Sequence, residues 1–104
     1  MVQHAGRYFL FFSANHWDSP AYDIGYATCG SPLGPCPQTR GPWIAAQGQV
    51  RGPGGEDFFT DTNGQLWMVF HAWIGTVRYP HGARSLFVVP VTITTEKPTI
   101  TPTP

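Results

Sequence analysis

Glycine and proline punctuate this chain too often for a long helix to fit between them. Twelve glycines and eleven prolines are spread through 104 residues. A proline removes a backbone donor and fixes φ, and a glycine makes a regular segment entropically more costly. The runs left between them are short and rich in aromatic and β-branched residues, which suit a pleated, half-buried surface. The chain is therefore read as all-β, built from short antiparallel strands joined by turns.

Those strands can be placed by their patterns. Residues 7–13 carry Tyr8, Phe9, Leu10, Phe11 and Phe12 in one run, the mark of a buried strand. Residues 22–28 put Tyr22, Ile24 and Tyr26 on one face at a period of two. Residues 43–46 are read as a short outer strand and 57–60 as another, with 47–55 between them as loop. Asp61-Thr62-Asn63-Gly64 is a hairpin signal, because Asn-Gly accepts the positive φ of a tight turn. Residues 65–73 and 84–93 are strong strands, and the intervening 75–83 is loop. Residues 94–104, which include Glu96 and the Thr/Pro-rich stretch Lys97-Pro98-Thr99-Ile100-Thr101-Pro102-Thr103-Pro104, read as a linker or tail behind a unit spanning 1–93. The two halves echo each other. Gly6 runs into Arg7-Tyr8-Phe9-Leu10-Phe11-Phe12 as Gly64 runs into Gln65-Leu66-Trp67-Met68-Val69-Phe70, as repeated antiparallel blades would.

Charge narrows the partners. Charged residues make up 12% of the chain, about half the usual ~25%, and the formal net charge is zero. No electrostatic case exists for nucleic acid or for an acidic membrane surface. No apolar run approaches the ~18 residues of a membrane helix. Met1-Val2-Gln3-His4-Ala5-Gly6 lacks the basic region and apolar stretch of a secretory signal, so no export signal is read there. Aromatics at 14% with so little charge predict sticky surfaces, hence self-association or a missing partner. Cys29 and Cys36 bracket a Gly/Pro-rich segment that favours a tight turn able to bring the sulfurs together. Two readings stand for them, a loop disulfide and a pair of free thiols. Two thiols with no histidine close in sequence make a poor metal site. No Gly-x-Ser-x-Gly, phosphate loop or zinc spacing occurs.

The residues resemble the five-bladed propellers of glycoside hydrolase family 43, the arabinanases, xylosidases and arabinofuranosidases. The resemblance runs through Gly6 to Asn15, Ile24-Gly25-Tyr26-Ala27-Thr28-Cys29, Ser31-Pro32-Leu33-Gly34-Pro35 and Gly52-Pro53-Gly54-Gly55. It continues through Asp61 to Trp73 and Gly82-Ala83-Arg84-Ser85-Leu86, in family order over residues 6–87. It implies a partial β-propeller of about two blades, the fourth and fifth, acting on arabinose- or xylose-containing plant oligosaccharide or polysaccharide. Departures exist. Phe9 and Phe12 stand where relatives often have Tyr, Gly55 where many have His, and Phe87-Val88-Val89-Pro90 where an Ile-Asp-Pro-like segment is usual. Relatives are often secreted.

The resemblance also implies what this stretch omits. The family uses two Asp and one Glu. The Asp residues belong to earlier blades, and by the match the Glu would fall just ahead of Met1. Hydrolysis needs two carboxylates across the scissile bond. Among those present, Asp18 and Asp61 sit in turns, Asp23 alternates away from Tyr22 and Ile24, and adjacent Glu56 and Asp57 point to opposite faces of a strand. No catalytic residue is assigned. His71 is the sharpest binding candidate, because the resemblance brings it near the propeller axis, where it would hold a water or a cation such as Ca²⁺. The competing reading is a buried, hydrogen-bonded histidine. His16 and Trp17 fall in a loop at the pocket rim by the resemblance, Trp17 as a sugar-stacking ring or a structural loop aromatic. Arg84 either lines the pocket wall or pairs with backbone carbonyls. His4 and His81 carry no argument. No cofactor is required. Two blades alone would expose apolar flanks, so a homo-oligomer that completes the β assembly is expected, either as a glycosidase fragment or as a non-catalytic carbohydrate-binding remnant.

Overall fold

A computed structural model describes residues 1–78, 80–94 and 97–100 of the chain. It holds two four-stranded antiparallel sheets in series. The first runs β1 (Val2–His4), β2 (Arg7–Ala14), β3 (Asp23–Cys29) and β4 (Gln38–Ile44), and the second β5 (Val50–Thr60), β6 (Leu66–Ile74), β7 (Arg84–Thr94) and β8 (Lys97–Ile100). Within each sheet the strands neighbour one another in chain order. This up-and-down order is that of consecutive propeller blades.

One face of each sheet is buried against the other. Phe9, Ile24 and Tyr26 from the first sheet meet Met68, Phe70, Ala72, Val89, Val91 and Ile93 from the second. The period-two alternation of β6 explains the choice: Met68, Phe70 and Ala72 point into this seam, and Trp67, Val69 and His71 point away. Strand β5 lies against β2 and β3, and the Phe11 and Phe58 rings meet there at 4.4 Å. The face of the second sheet turned from the seam keeps Phe59, Leu86 and Val88 exposed.

Three strand boundaries differ from expectation. The outer strand of the first sheet is Gln38–Ile44, earlier than 43–46, and it runs through residues read as a connection. Residues 50–55, read as loop, open β5. The Gly-Pro-Gly-Gly stretch has poor strand propensity, but two register shifts let the strand pass through it, between Arg51 and Gly54 and between Gly54 and Asp57. Residues 97–100, read as the start of a tail, form β8, with Thr99 opposite Thr92 and Lys97 opposite Thr94. A polar Thr/Pro composition is compatible with an edge strand, where unpaired donors face solvent. Glu96 and residues 101–104 of that expected tail lie outside the described residues. The hairpin at 61–64 is as read: Asp61 Oδ1 accepts from the Asn63 and Gln65 N–H groups, and the Trp67 indole N–H donates to Asp61 Oδ2.

Cys29 and Cys36 form a disulfide, which resolves the two readings of the pair. The bridge closes the turn that leaves β3. Replacing both cysteines by serine removes a loop constraint of about 2 kcal/mol. Urea or thermal unfolding of the oxidised chain should show that loss relative to the double-serine variant, and equal midpoints would refute a stabilising role.

Candidate functional site

At one end of the seam, the loop of residues 15–22 meets the start of β5, the end of β6 and the start of β7. The loop holds itself in shape. Asn15 adopts a left-handed φ of 72°, a conformation that Asn tolerates better than most residues. Its side-chain amide donates to the Ala21 carbonyl at 3.0 Å. The Ser19 hydroxyl donates to the His16 carbonyl at 2.8 Å and accepts from the Ala21 N–H. The Asp18 N–H donates to His16 Nδ1 at 3.1 Å. These bonds fix His16 and Trp17 side by side on the surface.

Arg84 ties this loop to both of its neighbours. Its Nε donates to His71 Nδ1 at 2.5 Å, and its Nη2 donates to the carbonyls of His71 at 2.5 Å and Gly52 at 2.8 Å. Its Nη1 reaches the Trp17 carbonyl at 3.4 Å. That same carbonyl accepts from the Trp73 indole N–H at 3.0 Å. The guanidinium also lies over the rings of Trp73 and Tyr22, at 5.3 and 5.4 Å from their centroids. A planar fork with five donors suits such multiple ties. Above it the aromatics form a ladder. Trp17 stacks on Trp73 at 5.9 Å with planes 17° apart, and His16 lies beside Trp17 at 6.2 Å. Trp73 is buried, whereas Trp17 is 45% exposed.

All four residues singled out from the sequence, His16, Trp17, His71 and Arg84, are thus brought to one end. Arg84 makes its bonds to backbone carbonyls and to His71. His71 sits on β6, opposite Gly54 of β5. Its Nδ1 accepts from Arg84, so its proton is carried on Nε2. Gly55 has a φ of 65° and no side chain, and a Cβ there would run into His71 Nε2. The ring is therefore close-packed by glycine on one side and by arginine on the other. Gly54 plays the same part for Tyr22, whose ring occupies the space a Cβ would need. With Nδ1 filled and Nε2 protonated, His71 offers no lone pair to a cation, and no group of three metal-ligating side chains occurs among the described residues. These residues do not fit a Ca²⁺ site. Tyr22, Gly52 and Trp73 were not singled out from the sequence. Tyr22 and Trp73 were marked as strand residues and Gly52 as loop, but their convergence on Arg84 depends on how the strands pair.

Three acids lie on β5 or in the hairpin turn that follows it. On β5, Glu56 Oε1 accepts from the Ser13 hydroxyl of β2 at 2.8 Å, and the Gly55 N–H donates to the same hydroxyl at 3.0 Å. This is a latch between sheets. Asp57 is exposed and caps the Phe58 N–H. Asp61 is held below the usual carboxylate range, first by the Trp67 indole N–H and then by backbone donors.

Burial, with the Arg84 charge beside it, holds His71 below its ordinary 6.5. The folded chain thus resists a proton that the unfolded chain accepts. Stability from this site is present in full above pH ~6.5 and falls as the pH drops through the depressed value. Urea midpoints at pH 7.5 and pH 5 should differ, and His71→Gln, which keeps an acceptor for Arg84, should shrink the difference. An unchanged pH dependence in that variant would exclude His71 as its source. Arg84→Ala removes the side-chain donor from the Gly52 and His71 carbonyls and from the His71 ring nitrogen, and should cost roughly 3 kcal/mol in unfolding free energy. A loss within ~0.5 kcal/mol, as for an ordinary surface site, would contradict the clamp.

Comparison with known proteins fits this geometry. The sequence profile of glycosyl hydrolases family 43 matches residues 1–98. The fold is similar to a thermostable family-43 glycoside hydrolase, with a TM-score of 0.80 and 26% identity over 99% of this chain. It is also similar to an endo-1,4-beta-xylanase from Bacteroides thetaiotaomicron VPI-5482, with a TM-score of 0.79 and 27% identity over 98% of this chain. This chain spans 36% of the length of each of those structures. No curated protein matches it at the same stringency.

Proposed function

Because this chain belongs to glycosyl hydrolases family 43, we propose that it forms two adjacent propeller blades and one wall of a sugar site. The substrate class is arabinose- or xylose-containing plant polysaccharide. The observation that carries this reading is the exposed Trp17 indole, fixed flat against Trp73 beside the Arg84–His71 cluster. A pyranose or furanose presents C–H groups on one face and hydroxyls at its edge. An immobilised indole with a nearby His16 ring matches that pattern at low entropic cost.

Chemistry needs more than this wall. The two aspartates of the family belong to earlier blades in this reading and its glutamate matches no residue of this chain, and Arg84 and His71 act as positioning residues. Arg84 holds the Trp17 loop against β5, and His71 holds Arg84. Neither transfers a proton. The chain alone binds sugar without cleaving it, and no cofactor takes part.

A second reading is favoured by the exposed Phe59, Leu86 and Val88. Several copies would cover these faces and form a non-catalytic carbohydrate-binding assembly. Sedimentation at micromolar concentration separates the two: a monomer counts against the assembly.

Xylo- and arabino-oligosaccharides should quench tryptophan emission in a saturable way. Trp17→Ala should weaken that binding about tenfold, the scale of one aromatic contact. Unaltered affinity would sink the Trp17 assignment. Aryl arabinofuranosides and xylosides should not turn over on the isolated chain. Turnover abolished by Glu56→Gln or Asp57→Asn would instead assign the acid to β5.

A further inference from the structure

One cavity lies away from the Arg84 end. It is a groove of about 760 Å³ between the outer strands of the two sheets, and its walls include Trp43, Gln47, Gln49, Phe70, Pro98 and Thr99. This volume lies within the ~300–1,000 Å³ of small-molecule sites. Among the described residues, no charged side chain lines it. An anionic, cationic or metal ligand would find no counter-charge there.

The groove is pre-shaped. The Trp43 indole N–H donates to the Pro98 carbonyl at 3.0 Å, which pins β4 to β8. The same ring packs against Phe11 at 5.2 Å and Tyr26 at 6.0 Å. Its orientation is therefore set before anything binds. Residues 47–50 form a tight hairpin in which the Gln47 and Val50 backbones exchange both hydrogen bonds, at 2.8 and 3.1 Å. The Gln49 carbonyl accepts from the Gly75 N–H at 2.8 Å. Backbone bonding is thus spent on holding the turn. The Gln47 and Gln49 side chains are exposed, and no hydrogen bond of either amide is found among the described residues. The Thr99 hydroxyl donates to the Thr92 carbonyl at 3.2 Å and keeps lone pairs to accept with.

We infer that this groove is a second site for neutral oligosaccharide, separate from the wall at Arg84. A fixed indole supplies the apolar platform for a sugar face. Each amide supplies one donor group and one acceptor, which matches a pair of adjacent hydroxyls. A wholly apolar ligand fits less well, because it would bury two amides without partners. The inference rests on the proposed polysaccharide reading for its ligand class. A chain that engages one polymer at two places holds it by effective concentration, with no new contact at either place.

The test is a titration of the intact, ¹⁵N-labelled chain with xylohexaose, following the assigned tryptophan indole N–H and glutamine amide signals. The expected result is saturable movement of the Trp43 indole signal and of the Gln47 and Gln49 side-chain amides. In the Gln47→Ala/Gln49→Ala variant, whose changes lie on the surface, the Trp43 response should need about tenfold more sugar. Trp17→Ala should leave the saturable Trp43 movement in place, weakened only by the loss of two-place holding. Movement at Trp17 and Trp73 with Trp43 silent would overturn the groove and leave the Arg84 wall standing. Movement at Trp43 with Trp17 silent would support the groove and remove the wall. Silence at both overturns both, and a Trp43 response untouched by the double variant overturns the groove.

Discussion

Each sheet has two faces, and the chain buries only one face of each against the other. That shared seam fixes the rest. It sets which half of every strand is apolar core, and it places Phe9, Ile24 and Tyr26 against Met68, Phe70 and Val89. The far faces then remain available, and Phe59, Leu86 and Val88 stand open on one of them. A sheet closed on one side is stable enough to order its strands and still presents apolar surface for more β structure.

The seam also shapes the Arg84 junction and the groove at Trp43, because it ends differently at its two margins. At one end the loop between β2 and β3 of the first sheet meets the second sheet, and the carbonyls of residues 17, 52 and 71 converge there. A single guanidinium satisfies them together. Buried acceptors without donors would be costly, so Arg84 is a structural requirement of this junction as well as a neighbour of the exposed Trp17. At the outer margin the sheets splay, and only the Trp43–Pro98 bond spans the gap described there. The groove follows from that divergence.

Much of this was legible in the sequence. The aromatic runs, the Asn63-Gly64 turn and the period-two faces located β2, β3, β6 and β7, because each signal is local. The Gly52-Pro53-Gly54-Gly55 stretch misled as a loop. Its glycines mark close approach of Tyr22 and His71 to a bulged strand, which no local propensity encodes. β8 was hidden because a short edge strand of polar residues carries no hydrophobic period. His16, Trp17, His71 and Arg84 were singled out together, yet their link through one arginine was not visible.

The amino-acid sequence by itself determined the all-β class, the turn positions and the family to which the chain belongs. Those depend on local propensity and on ordered motifs along the chain. Only the tertiary structure decided that Cys29 and Cys36 are bonded, that His71 gives its Nδ1 to Arg84, and that Trp43 faces a neutral groove. Each of these is a meeting of groups whose separation is set by sheet register and packing. A strand pattern limits which face a side chain takes, but it does not say which distant residue will be waiting there.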